Sequence, residues 1–174
     1  MSGNIKLNVN ALTEKRQSME FTIPVQDIDL GSEGIILRSD VRMTVEAETG
    51  EKSLDLHGRI ETEAETACFR CLKPVIRAEP IEFDVRYVKP EDFGSDEESQ
   101  VGTDDLLTDI LTSDEIDMAE VAREQLLLDM PTRVFCREDC RGLCEKCGAD
   151  LNLIDCKCSD DEIDPRWAAL KNIG

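Results

Sequence analysis

Cys136-Arg-Glu-Asp-Cys140-Arg-Gly-Leu-Cys144-Glu-Lys-Cys147-Gly148-Ala-Asp-Leu-Asn152-Leu-Ile-Asp-Cys156-Lys-Cys158 holds six of the chain's eight cysteines in 23 residues. The other two, Cys68 and Cys71, form a short pair far upstream. Two residues between cysteines let a tight turn aim both sulfurs at one ion. Gly148, directly after Cys147, can take the positive-φ conformation that lets backbone N–H groups approach the thiolates. Cys156-Lys-Cys158 has a period of two, which in an extended segment puts both sulfurs on one face. The eight residues from Gly148 to Asp155 are long enough to fold back. Cys144, Cys147, Cys156 and Cys158 are therefore expected to form a compact local site.

Cys68-Phe-Arg-Cys71 is again a two-residue knuckle. Cys136 and Cys140, at i and i+4, suit one helical turn or an open loop. If these four share an ion, it joins residues 65 apart and clips the tail to the N-terminal half. Spacing leaves other pairings open, such as Cys68 and Cys71 with Cys144 and Cys147, and leaves open one site or two. The expected ion is zinc, in one or two four-cysteine sites. Each such site carries a formal charge of about −2, and Arg70, Lys73, Arg137, Arg141, Lys146 and Lys157 are interleaved with the ligands. Arg133, Arg137, Arg141 and Lys146 are the candidate partner-binding cations; the competing reading is that they only balance thiolate charge.

The opening residues carry no apolar segment of secretory type, and no apolar run approaches the roughly 18 residues of a membrane helix. A cytoplasmic protein is expected, and thiols there stay reduced, which favours metal over four disulfides. A catalytic zinc keeps an open position and usually recruits histidine. His57 is the only histidine and reads as a sheet-face residue. No phosphate loop, dinucleotide fingerprint or nucleophile elbow is present. The expectation is no enzyme and no small-molecule substrate.

Outward from the cysteines, the chain reads as α+β. Residues 5–9, 19–25, 35–47, 52–67 and 81–88 alternate apolar with polar, as half-buried strands do. Pro24 marks an edge or a strand end. Glu48-Thr-Gly50-Glu is a hairpin signal. Residues 1–90 are expected to form an antiparallel β-meander or small barrel. Residues 91–113 read as an acidic linker, within a stretch from Glu91 to Glu120 holding twelve carboxylates and no Lys or Arg. Residues 114–174 carry one main helix, the zinc-binding cysteine lobe and a short C-terminal helix. The main helix should run from Met118 to about Asp129, with Asp117 and Glu120 as a reciprocal capping box and Pro131 as its stop. The last helix would start at Asp164-Pro165 and share Trp167, Leu170 and Ile173 on one face.

The formal net charge of −19 repels nucleic acid at long range and favours basic partners. On this ground direct nucleic-acid contact is expected to be weak; the acidic stretch 91–120 reads first as a solvated linker, with attraction of a basic protein as its functional reading.

Several strings together resemble the YceD family, the large ribosomal RNA subunit accumulation proteins. They are Cys68-Phe-Arg-Cys71-Leu-Lys-Pro74, Leu126-Leu-Leu-Asp-Met-Pro131, the cysteine run from Cys136 to Cys158 with Asn152, and Asp164-Pro-Arg-Trp-Ala-Ala-Leu170. The resemblance covers the chain from about residue 55 onward. It implies a cytosolic bacterial protein without catalytic chemistry that supports accumulation of large-subunit rRNA in the assembling large ribosomal subunit; the acidic charge adds a basic ribosomal protein as the expected partner and makes direct rRNA contact weak. The competing expectation is a thiol redox sensor, or a metal-handling chaperone that donates zinc to a ribosomal protein.

Overall fold

The computed structural model describes residues 5–31, 34–92 and 108–158. Among them the alternating segments become ten strands: β1 (Lys6–Asn8), β2 (Arg16–Ile23), β3 (Ile35–Leu37), β4 (Val41–Thr49), β5 (Ser53–Glu61), β6 (Ala64–Ala67), β7 (Pro74–Arg77), β8 (Ile81–Val88), β9 (Thr108–Ile110) and β10 (Glu115–Asp117). One helix, α1 (Met118–Asp129), follows directly. The class is α+β, as expected.

The period-two pattern translates into burial. In β4, Val41, Met43, Val45 and Ala47 are buried while Arg42 and Thr44 face out. Residues opposite one another continue this face across β5 and β8: Met43, Ile60 and Ile81 line up, as do Ala47, Leu56 and Val85. Such cross-strand rows, each apolar on one face, are what hold a sheet in register. His57 lies on the outward face, exposed, with Nδ1 bonded to the Asp84 carboxylate on the neighbouring strand.

A closed barrel does not form among the described residues. The main sheet has the open order β2-β4-β5-β8-β9, with β2 at one edge, ending at Ile23 just before Pro24. The runs 35–47 and 52–67, expected to be continuous, are each broken once. At the breaks, side chains take over from the ladder: Asp40 Oδ1 accepts the Val25 N–H at 3.0 Å, Ser39 Oγ accepts the Glu63 N–H at 2.9 Å, and Thr62 Oγ1 donates to the Ser39 carbonyl at 3.1 Å. Polar side chains that bond to nearby backbone compete with strand pairing in this way. So β3 and β6 leave the main sheet and join β7 in a second sheet, order β3-β6-β7. The pairs β2–β4, β3–β6, β4–β5 and β5–β8, all within residues 1–90, are antiparallel as expected, and β9, from beyond that range, adds parallel to β8.

In α1, Met118, Val121, Ala122 and Leu126 are buried, the i, i+3, i+4, i+8 stripe of an amphipathic helix. They pack on β8 and β1. Asp117 caps the helix, but the expected reciprocal capping box does not form. Asp117 Oδ1 accepts the Ala119 N–H at 2.9 Å rather than that of Glu120, and the Glu120 carboxylate is taken by a bidentate pair with Arg123. Asp117→Ala is expected to cost about 1 kcal/mol of stability in urea denaturation, with Glu120→Ala smaller.

No helix among the described residues is long and apolar enough to cross a membrane. The expected C-terminal helix with Trp167, and most of the acidic linker, lie outside the described residues. The chain divides into two compact units. The first comprises Met1–Thr66 and Ile76–Thr132, and the second Ala67–Val75 and Arg133–Gly174. The hydrophobic core just described belongs to the first unit. All eight cysteines belong to the second.

Candidate metal centre

The second unit is built around two copies of one turn. In Cys68-Phe69-Arg70-Cys71-Leu72, the Cys68 N–H donates to the Lys73 carbonyl at 2.8 Å and the Leu72 N–H to the Cys68 carbonyl at 2.9 Å. In Cys144-Glu145-Lys146-Cys147-Gly148, the Cys144 N–H donates to the Ala149 carbonyl at 2.8 Å and the Gly148 N–H to the Cys144 carbonyl at 2.8 Å. The spacing of donors and acceptors is the same in both. The fifth residue of each turn has positive φ, 60° at Leu72 and 71° at Gly148. This left-handed position follows from the tight turn, and glycine takes it at least cost.

Each knuckle faces a second cysteine pair. Cys68, Cys71, Cys136 and Cys140 form one group of four, and Cys144, Cys147, Cys156 and Cys158 another; within each, all sulfurs lie within 4.8 Å of one another. In the first group, the Cys68 and Cys140 sulfurs are 3.9 Å apart, and those of Cys71 and Cys136 3.6 Å. Four sulfurs around zinc at about 2.3 Å would be about 3.8 Å apart along each tetrahedral edge. All eight cysteines are free thiols rather than disulfides. The donor set and the spacing therefore fit a tetrahedral thiolate-bound metal ion at both groups.

The backbone is arranged for thiolates. The Cys136 N–H points to Cys68 Sγ at 3.3 Å, and the Asn152 side-chain amide donates to Cys140 Sγ at 3.5 Å. Burial opposes the Cys68 thiolate, but the N–H groups of Cys71, Cys136 and Arg70 outweigh it and bring the thiol down to about 6. The N–H of Cys147, then the Cys156 thiol, bring Cys144 to about 6 as well. Cys158, crowded by the Cys147 and Cys144 sulfurs, is pushed up to about 12. Sulfurs packed this closely cannot all ionise without a cation between them.

A polar frame locks the two halves of the unit together. Arg70 Nη1 donates to the carbonyls of Glu138 and Cys140 at 3.0 and 2.8 Å, and the Leu143 N–H donates to the Arg70 carbonyl at 3.1 Å. Lys73 Nζ pairs with Asp150 at 2.7 Å. This ammonium, with the backbone N–H of Asn152, holds the Asp150 carboxyl down to about 2. Gly142 has φ 77°, and a Cβ there would sit 2.9 Å from the Arg70 carbonyl oxygen. Gly142→Ala is accordingly expected to cost about 1–3 kcal/mol and to weaken metal retention by the first group, read by chelator competition.

Very little else holds this unit. Among the described residues its buried apolar side chains are Cys68, Cys71 and Cys140, with Val75 and Leu143 partly buried against them. A unit this poor in apolar burial needs another source of cohesion.

Of the cations singled out from sequence, Arg137 donates to Asn152 Oδ1 at 2.7 Å and pairs with Asp139, and Arg141 pairs with Asp155 at 2.8 Å. Both are turned onto the unit itself. Arg133 instead lies over the Phe69 ring, 4.8 Å from its centroid. Lys146 lies on the second knuckle, between Cys144 and Cys147. Sequence reasoning missed Asp150 as the partner of Lys73, and missed the role of Asn152. The sequence signal was there: Asp-x-Asn between two cysteine pairs is a typical side-chain-capped turn, and the Asn152 N–H does bond to Asp150 Oδ1 at 2.9 Å.

Residues 56–174 match the profile of the family described as "Large ribosomal RNA subunit accumulation protein YceD". Among curated proteins, the chain is 24% identical over 196 residues to "Large ribosomal RNA subunit accumulation protein YCED homolog 1, chloroplastic" of Arabidopsis thaliana, covering 98% of this chain and 58% of that protein. It is 27% identical to the uncharacterized protein YlbN of Bacillus subtilis, covering 91% of this chain and 89% of that one. It is also 27% identical to an uncharacterized protein of Mycobacterium tuberculosis, covering 79% and 62% respectively. The chain thus spans about three fifths of the Arabidopsis and mycobacterial relatives. No solved structure matches.

Proposed function

The chain belongs to the YceD family, and from that membership and the chemistry of its thiol groups we propose that it is a non-enzymatic ribosome-biogenesis factor, supporting accumulation of large-subunit rRNA, whose cysteine lobe is held by two zinc ions. The observation that carries the zinc part is the pairing of two complete four-sulfur groups with an otherwise coreless unit. Four thiolates per ion leave no open position for water or substrate, which is the pattern of structural zinc. Zinc would supply the folding energy of the lobe and neutralise half of its thiolate charge.

A basic protein of the assembling large subunit is the favoured direct partner. The first unit carries the whole net charge, since the second has nine Lys and Arg against nine Asp and Glu, thiolates aside. It also has a groove lined by Tyr87, Asp109, Glu115, Asp117, Glu120 and Glu124. Burial, then the Asp109 and Glu120 carboxylates, raise the Glu124 carboxyl, so a cation seated there would relieve like-charge crowding. The rival reading, a zinc-donating or redox-sensing role, draws on the exposure of Cys147 and Cys158. The proposal is tested by elemental analysis, expected to give two zinc per chain. A second test is depletion of the protein in cells, expected to lower large-subunit rRNA and spare the small subunit. Zinc that exchanges within seconds to a competing apo-protein would favour the rival.

A further inference from the structure

Eleven arginines are described, and nine of them lie within ion-pair distance of a carboxylate: Arg16, Arg38, Arg42, Arg59, Arg77, Arg86, Arg123, Arg137 and Arg141. In a chain with 39 acidic and 20 basic residues, that is the expected outcome. The two without such a pair among the described residues are Arg70 and Arg133, and both sit in one place. Arg133 lies over the ring of Phe69 at 4.8 Å, and Arg70 over the ring of Phe135 at 4.6 Å. The two rings meet edge to face, 6.3 Å apart at 88°. The Phe69 N–H donates to the Val134 carbonyl at 2.7 Å, so the backbone fixes the two arms side by side. Phe69 is 56% exposed, and Phe135 38%. Leu72, next on the same knuckle, is 65% exposed and holds φ 60°, a conformation an L side chain takes only at a cost.

We infer that Phe69, Phe135 and Arg133, with Arg70 anchored to the Glu138 and Cys140 carbonyls beneath the Phe135 arm, form a platform for single-stranded RNA, on which unpaired bases stack against the exposed rings and the Arg133 guanidinium plane while an adjoining phosphate meets the Arg133 charge. This deepens the assembly-factor reading and rests on it for the choice of RNA. The chemistry selects the ligand class. An apolar protein surface would be satisfied by Phe69, Phe135 and Leu72 and would bury the Arg133 guanidinium without a counter-ion, which is costly. An acidic protein would meet the charge but offer no flat faces to the two rings. A nucleic-acid strand offers flat faces and anionic charge together, and aromatic rings flanked by arginine are how unpaired bases are held. The formal −19 lies on the other unit, and the lobe's own charge with both groups zinc-bound is about −4, so the Arg133 charge acts at contact range rather than through the field of the chain.

The test uses the full zinc-loaded chain and a labelled, mixed-sequence RNA of about 12 nucleotides, followed by fluorescence anisotropy. Saturable binding is expected, weakened at least ~10-fold in Phe69→Leu/Phe135→Leu, a pair that keeps apolar volume and removes the stacking faces. Zinc per chain should be unchanged in that variant, which shows the lobe intact. Arg133→Gln should lower the slope of log affinity against log salt by about 1. A duplex of the same sequence should compete poorly. Equal competition by the duplex, unchanged affinity in the leucine pair, or no binding by the parent protein would overturn the platform. So would a leucine pair that binds RNA normally but loses RNase-resistant association with assembling subunits, since the occupant would then be a protein. If the parent gene restores large-subunit rRNA in depleted cells and the platform still fails, the assembly reading stands and only this inference falls.

Discussion

Stripped of metal by a strong chelator under reducing conditions, the protein is expected to lose its cysteine lobe while keeping its sheet. The reason is the separation of the two cores. The sheet and helix bury a continuous set running from Leu7 through Val45, Leu56 and Phe83 to Leu126, with no cysteine among them. The lobe buries three thiols and little else. Structural zinc contributes on the order of 10 kcal/mol to small cysteine domains, far more than Val75 and Leu143 can replace. Amide signals from 67–75 and 133–158 should collapse toward unfolded positions, while those of the main sheet stay dispersed. Two ions should leave at different rates. The group containing Cys147 and Cys158, both exposed, should empty first, and the group in which Cys68, Cys71 and Cys140 are buried should empty last. A reduced, metal-free protein with a fully dispersed lobe would refute the zinc-held lobe.

The converse experiment acts on the other unit. Leu56→Ala is expected to destabilise the sheet by about 3 kcal/mol, within the 2–5 kcal/mol typical of buried leucine truncations. Leu56 is fully buried between Ala47 and Val85 on the neighbouring strands. Those neighbours are short side chains and cannot fill the space it leaves. Urea denaturation followed by far-UV circular dichroism should show a lower midpoint with an unchanged slope. Zinc per chain should stay at the parent value. A loss below about 1 kcal/mol would mean that the sheet face is loosely packed.

Much of this architecture was readable in the residues, and the failures have specific causes. Period two in Val41, Met43 and Val45, or in Phe83, Val85 and Tyr87, places them on one face whatever the topology. The helix from Met118 to Asp129 announced both its ends, with Asp117 before it and Pro131 after. The breaks at Ser39–Asp40 and Thr62–Glu63 were not readable, since they depend on side chains meeting across the fold rather than along the chain. The parallel placement of β9 was also hidden, because three residues carry no period. In the lobe, spacing suggested one local and one long-range group of thiols but left other pairings, and one site or two, open. It could not show that Arg137 and Arg141 turn inward onto Asn152 and Asp155, or that Arg70 and Arg133 cover two rings. These are contacts between segments more than sixty residues apart in the case of the rings, and no local pattern encodes them.

The lobe is made from two stretches of chain, and this imposes an order on its birth. At ~5–20 residues per second, a ribosome needs about 3–13 s to add the 65 residues that separate Cys71 from Cys136. Throughout that interval the nascent polypeptide displays Cys68 and Cys71 as a half-built clasp, able to grip an ion with two sulfurs but not to close on it. Cys144 to Cys158, by contrast, emerge almost together, so the local clasp can shut within about a few seconds of leaving the tunnel. The long-range one stays ajar longest, and during synthesis its waiting pair is the place most open to oxidants and to capture of the wrong metal.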